Sequence, residues 1–161
     1  RRMQAEMRWC ETANLSLCGR TEEVLPDYYE LYGELKDEPL FLYNYAAELN
    51  VAGRYAQSLR VGRECEARMA DYFTQLLQAD NCRKLGRSAE AERHLEQAAH
   101  MCPNRFVPLH ELYQLHEARA DTPAMRRVAE AILRKPVKVD SPQVRVIIAK
   151  MKHQYSILKN N

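Results

Sequence analysis

"LGRSAEAERHLEQAAHMCP", residues 85–103, is the stretch whose reading decides the fold. Gly86 suits a turn, because a residue without Cβ enters the left-handed backbone region at no steric cost. Ala91 and Ala98 stand seven residues apart. That spacing puts both on one helical face, where their small side chains let a second helix approach closely. Leu95 fills the apolar position between them, and Pro103 ends the segment because proline cannot continue the hydrogen-bond ladder.

The same punctuation recurs. Glycine turns fall at Gly19, Gly53 and Gly86, spaced 34 and 33 residues, and a further 34 leads to Ala120 inside the break "ARADTP", residues 118–123. A period near 34 belongs to repeats built as helix–turn–helix. Residues 85–103 resemble the tetratricopeptide repeat, with its G…A-x3-F…A…P pattern and Leu95 in place of the aromatic residue. The resemblance implies an all-α, right-handed α-solenoid. The period divides the chain into four hairpins near residues 3–36, 39–70, 71–103 and 104–135. A capping helix over 142–158 completes a single repeat domain of nine helices without sheet.

The other units are looser. In "LNVAGRYAQSLRVGRECEA", residues 49–67, Ser58, Gly62 and Cys65 take the small or apolar positions. Pro26 is expected in the first turn of the second helix of unit one, where proline is tolerated. Thr122–Pro123 and Ser141–Pro142 each read as an N-cap followed by proline at the first helical position. Val144, Ile147, Ile148, Met151 and Tyr155 form the apolar stripe a last helix needs to cover the final hairpin. Ala98 marks a close approach of helices, whereas Ala124 is expected to be exposed.

Composition narrows the function. The chain has 161 residues, 24 basic and 22 acidic, for a net charge of +2. That balance makes no electrostatic case for nucleic acid or an anionic membrane. No apolar run reaches the roughly 18 residues of a membrane span. The chain starts at Arg1 rather than Met, so a longer parent protein is expected. The cysteines are Cys10, Cys18, Cys65, Cys82 and Cys102, with no C-x-x-C pair to suggest zinc or redox chemistry. Cys65 and Cys82, on sequential helices, are expected to approach each other as buried reduced thiols, a disulfide being the alternative.

No catalytic constellation emerges. His110-Glu111 and His116-Glu117 bring two histidines onto one helix, but six apart rather than the four a zinc-protease helix requires. They read as helix-surface histidines. No phosphate loop or nucleophile elbow is present. The expectation is a non-enzyme with no cofactor and no metal. Binding is expected on a concave groove lined by the first helix of each hairpin. The repeat register places Trp9, Tyr43, Leu76 and His110 at equivalent positions. Ala47, Asp80 and Gln114 follow one turn on, then Asn50, Arg83 and Glu117. Asn44 also faces this groove. Trp9 and Tyr43 either stack on a ligand or pack under the next unit; the remaining tyrosines read as interhelix packing. The carboxylate clamp of chaperone-tail-binding repeats is missing, since its positions hold Trp9, Ala13, Phe73 and Leu77, and only Asn44 fits.

Four strings carry a narrower resemblance: "FLYNYAAELN" at 41–50, "DN" at 80–81 with "LGRSAEAE" at 85–92, "MCPNRF" and "PL" within 101–109, and "KPVKVDSPQV" at 135–144. Together they resemble the C-terminal repeat domain of bacterial O-antigen ligase/polymerase-like membrane proteins. The resemblance implies a membrane-embedded glycan-transfer portion N-terminal to Arg1. This chain would then be a non-catalytic accessory on the periplasmic, extracytoplasmic face of the bacterial inner membrane, meeting a protein partner or a glycan acceptor. Five cysteines weigh against an oxidising compartment. The rival reading is a free-standing, cytoplasmic scaffold or adaptor that binds a peptide in its groove.

Overall fold

Glycine at a fixed interval does shape the chain. The structure is a computed structural model that describes residues 1–160. Among the described residues it holds nine helices and no strand. They are α1 (Arg2–Leu17), α2 (Thr21–Leu35), α3 (Pro39–Val51), α4 (Tyr55–Glu66), α5 (Tyr72–Lys84), α6 (Ser88–Met101), α7 (Val107–Ala118), α8 (Thr122–Arg134) and α9 (Pro142–Asn160). Arg1–Arg87 and Ser88–Asn161 form two compact units.

Four turns within hairpins share one geometry. Gly19, Gly53 and Gly86 have φ of 77°, 74° and 73°. At the second, Arg54 N donates to Leu49 O at 2.8 Å and Gly53 N to Asn50 O at 2.9 Å. This is the Schellman pattern that satisfies the last carbonyls of a helix. The fourth turn repeats it, with Asp121 N to His116 O and Ala120 N to Glu117 O, both 3.0 Å. Here Ala120 takes φ 54°, the one non-glycine left-handed residue among those described. An L-residue with a Cβ is strained there by about 1–2 kcal/mol. Replacing Ala120 with glycine is therefore expected to stabilise the chain by about 1 kcal/mol, net of the entropy glycine adds to the unfolded state. A higher urea midpoint is the predicted reading, and an unchanged or lower one would show that the turn is unstrained.

The helix starts depart from the sequence reading in two places. Asp121, not Thr122, caps α8, accepting from Ala124 N at 3.1 Å. A carboxylate both accepts that bond and complements the helix dipole, and Pro123 then falls in the first turn, where its missing N–H costs nothing. Pro26 lies one turn deeper in α2 than its expected first-turn place. Without an N–H it leaves the ladder short of one bond. Ser141 does cap α9, accepting from Val144 N at 3.2 Å.

In unit 1 the apolar core gathers Val24, Tyr28, Leu35, Phe41, Leu42, Ala46 and Cys65, each no more than 1% exposed. The α4–α5 pair runs antiparallel with a polar seam. Ser58 Oγ accepts from Asn81 Nδ2 at 2.8 Å and donates to Ala46 O at 2.6 Å. Gln78 Nε2 donates to Leu59 O at 3.2 Å. A Cβ built on Gly62 would lie 2.3 Å from Gln78 Oε1. Gly62→Ala must therefore push a fully buried amide out of its bonds. Alanine favours the helix by up to about 1 kcal/mol, overpacking costs about 1–3, and a net loss of about 1–2 kcal/mol is expected in urea melts. A midpoint equal to wild type would mean Gln78 swings aside freely.

The expected burial of Cys65 and Cys82 as reduced thiols holds, and this register corrects only their expected approach to each other. Cys65 and Cys82 are both buried free thiols. Cys65 Sγ meets Thr74 Oγ1 at 3.8 Å and donates to Pro39 O at 3.3 Å. Antiparallel pairing sets Cys65 against the start of α5, while Cys82 lies eight residues, about 12 Å, further along it.

In unit 2, Ala91 and Ala98 are fully buried and Leu95 is 3% exposed. The stripe on α9 seats Ile147 and Met151 in a core with Phe106, Tyr113, Ala129 and Ile132. Ala124 is 2% exposed, not open to solvent as expected. Ala124 stands four and eight residues before Val128 and Ile132 and so shares their inward face of α8.

Candidate functional site

The first helices of the hairpins position the expected groove residues, and each unit can be taken by itself. In unit 1, α3 and α5 bring three of them together. Asn50 Nδ2 donates to Asp80 Oδ2 and to Asn81 Oδ1, both at 2.9 Å, and Arg83 donates to Asp80 Oδ1 at 2.6 Å. Burial pushes the Asp80 carboxyl up, but the bonds from Asn50 and Arg83 and the nearby cations outweigh it and leave its pKa below the ordinary value. Asp80 is thus a fixed anion, already satisfied by its own neighbours.

Tyr43, Asn44, Ala47 and Leu76 are half-buried on the same helices. Trp9 is half-buried and packs edge-on against Phe41, ring centroids 5.7 Å apart. Of its two open readings, packing is what this contact shows. Burial raises the pKa of the Tyr43 phenol.

In unit 2, His110 and Gln114 line a cavity of 420 Å³ between α7 and α9, with Val146 and Ile147 opposite. Burial first, then the charge of Lys150, lowers the His110 pKa, so the imidazole is neutral near pH 7. Its Nε2 is buried without a hydrogen-bond partner. Glu117 is exposed further along α7. The histidines are not the surface residues expected. His116 is 6% exposed, with Nε2 3.7 Å from Glu92, which also accepts from Arg119 at 2.7 Å. α7 packs against both α6 and α8, so little of its circumference is left for solvent. No group of three potential metal ligands exists among the described residues.

One feature escaped the register. Met7, Leu40 and Phe73 are 63%, 55% and 54% exposed. They recur every 33 residues, near the starts of α3 and α5 and within α1. The signal was present as an apolar residue at one fixed repeat position, one turn before Tyr43 and Leu76.

This geometry defines a class, the tetratricopeptide-type helical repeat fold. Solved structures share it across nearly the whole chain. MamA, as the RS-1 ArsTM double mutant, is 13% identical with a TM-score of 0.76, covering 97% of this chain and 89% of that one. TTC0263, a thermophilic TPR protein of Thermus thermophilus, is 15% identical with a TM-score of 0.66, covering 93% and 82%. YrrB, a TPR protein with an unusual peptide-binding site, is 12% identical with a TM-score of 0.61, covering 92% and 87%. At these identities the likeness is one of fold. No family model and no curated protein matches the chain.

Proposed function

We propose that this chain is a non-catalytic interaction module that binds a peptide segment of a partner protein across the first-helix face of unit 1. The observation that carries it is the recurrence of exposed Met7, Leu40 and Phe73 at one repeat position. α3 touches both α1 and α5, so the three residues stand on neighbouring helices. Large apolar side chains left in water at a repeated position give a partner a row of anchor points, and burying the half of each that is exposed contributes about 1–2 kcal/mol. The anchored Asp80–Arg83 pair and Asn50 supply polar contacts beside it. YrrB, of like fold, has a peptide-binding site, which supports this class of ligand.

The test is selection of a phage-displayed random peptide library on the chain, then mapping of an enriched peptide by amide chemical shifts. Shifts should centre on Leu40 and Phe73, and Leu40→Lys with Phe73→Lys should abolish binding while the helical content stays. Enrichment of nothing above background, or binding that ignores both changes, would end this reading.

A narrower reading rests on the four strings that resemble O-antigen ligase-like proteins. In it the module serves a surface-glycan assembly protein at the periplasmic face of the inner membrane, and a glycan acceptor joins the protein partner. No helix among the described residues is long and apolar enough to cross a membrane, so the anchor would lie outside them. Several apolar spans encoded just upstream of Arg1 would support it; a start codon there would remove it.

A further inference from the structure

Charge is spread unevenly along the chain. Residues 122–160 hold nine Lys and Arg against two carboxylates, a net of +7, while residues 1–121 hold fifteen against twenty, a net of −5. The whole-chain balance of +2 conceals this. The basic segment is α8, α9 and the loop that joins them, all within unit 2.

The bases are ordered. On α8, Arg127 stands three residues before Glu130 and Arg134 four after it. On α9, Lys152 and Lys159 stand in the same way about Tyr155. These spacings put each set on one helical face. Tyr155 Oη donates to Glu130 Oε1 at 2.6 Å and so joins the middles of the two sets, and Arg126 donates to Leu158 O further along the same seam. The bond to Glu130 holds the Tyr155 phenol above its ordinary pKa against the opposing charges of Arg134 and Arg126, so both guanidiniums stand near that hydroxyl. Arg127, Arg134, Lys152 and Lys159 are exposed.

Both carboxylates of the segment are engaged. Glu130 takes the Tyr155 hydroxyl and faces Arg134 at 3.7 Å, and Asp140 is held by Arg145 at 2.9 Å. Arg127, Lys138, Lys152 and Lys159 have no carboxylate within ion-pair distance among the described residues. The positive surplus therefore stands on the surface, uncancelled by α7 or by the seam itself.

The ground between the bases is small. Ala131 on α8, and Ala149 and Ser156 on α9, are exposed beside them at helical spacing. No aromatic ring is exposed there to stack on nucleic-acid bases. No large apolar side chain is exposed there to enter lipid, because Val146 lines the α7 side of α9, Ile157 shares that side eleven residues on, and Val137 and Val139 belong to the loop. A second copy does not supply the anion, because the acidic stripe of α2, Glu23, Asp27, Glu30 and Glu34, is held by Arg20, Arg8 and Arg1 of its own chain. A helix from another protein fits. Its carboxylates seven residues apart repeat every ~10.5 Å, the interval of the bases on α8 and α9, and small residues let it lie close.

We propose that the outer face of α8 and α9 is an interaction surface for an acidic helix of a partner protein. The helix lies along the seam over Ala131, Ala149 and Ser156, with carboxylates meeting Arg127 and Arg134 on one edge and Lys152 and Lys159 on the other. This goes beyond the first-helix site of unit 1 and shares no residue with it.

Phage-displayed helical peptides test it, selected on the full chain and counter-selected on a Lys152→Glu, Lys159→Glu double variant. Enriched peptides should place carboxylates seven residues apart on one helical face. A synthetic member is then titrated by fluorescence anisotropy. Arg127→Glu, on the other helix of the pair, should weaken binding about tenfold or more, and added salt should weaken it further. Phe73→Lys should leave this affinity unchanged, and the double variant should still bind the unit 1 peptide, so failure of one site is distinct from failure of the other. If no acidic helix is enriched, if Arg127→Glu binds as well as wild type, or if a scrambled peptide of the same composition binds equally well, the proposal fails. Duplex DNA and phosphatidylglycerol vesicles are titrated alongside, and sedimentation follows self-association. Tighter binding of either anion than of the peptide, or self-association, that the double variant abolishes would assign the face to that occupant and overturn the proposal.

Discussion

Replacing Phe41 with alanine is expected to cost about 4 kcal/mol of stability, the largest single loss argued for unit 1. Phe41 is wholly buried. Its ring lies 5.7 Å from Trp9, 5.6 Å from Tyr28 and 6.1 Å from Tyr45. Truncation removes the transfer free energy of the ring, leaves a cavity, and breaks aromatic contacts worth about 0.5–1.5 kcal/mol each. α1, α2 and α3 all contribute to this cluster, so none of them alone can collapse to refill the space. The check is urea unfolding followed by far-UV circular dichroism. The single tryptophan, Trp9, gives a local probe of the same event, and its emission should shift red in the native state of the variant. Tyr43→Ala, at a half-buried site, should cost clearly less. A loss under about 1 kcal/mol for Phe41→Ala would mean that the aromatic cluster is not what joins the three helices.

The same ring shows what the sequence could and could not disclose. Turns were legible because glycine at Gly19, Gly53 and Gly86 reflects a local backbone requirement, and even Ala120 could be placed by counting. The cap helix was legible because its stripe of Val144, Ile147, Ile148, Met151 and Tyr155 gathers its apolar residues on one face, which packs into a single core. α5 was the opposite case. Its buried face carries Thr74, Gln75, Gln78 and Asn81, so apolar periodicity says little about which side is inside. Only pairing with Ser58, Gly62 and Cys65 makes that face a core, and pairing is a tertiary fact. For the site, counting by 34 found residues that share a face, and Asn50, Asp80 and Arg83 do meet. It could not tell whether a neighbour covers a residue, which is why Trp9 stayed open until Phe41 was seen against it. Tyr29, expected with the other tyrosines to pack between helices, is instead 76% exposed, because helical spacing does not tell which face a neighbour leaves open.

Stability is expected to fall steeply in alkali, with Tyr28 as a principal cause. Its phenol is 1% exposed, and burial, reinforced by the charge of Glu48, pushes its pKa up to about 12. In the unfolded chain a tyrosine titrates near 10. The folded state therefore holds its proton where the unfolded state releases it, and the unfolded state gains from each step upward in pH. The Tyr28 contribution is fully present below about pH 10 and is lost as pH rises toward 12. A difference of about two pKa units corresponds to about 3 kcal/mol at the far end. Burial raises the pKa of Tyr43, Tyr45 and Tyr113 in the same direction, so their losses add. Urea midpoints measured from about pH 8 to about pH 11.5 should fall only above about pH 10. Tyr28→Phe keeps the ring packing and removes the titration, so its midpoint curve should be flatter than wild type over the same range. Glu48→Gln should make the Tyr28 loss smaller, because the carboxylate no longer opposes the phenolate in the folded state. If Tyr28→Phe follows the wild-type curve throughout, the buried phenol is not what the alkali attacks.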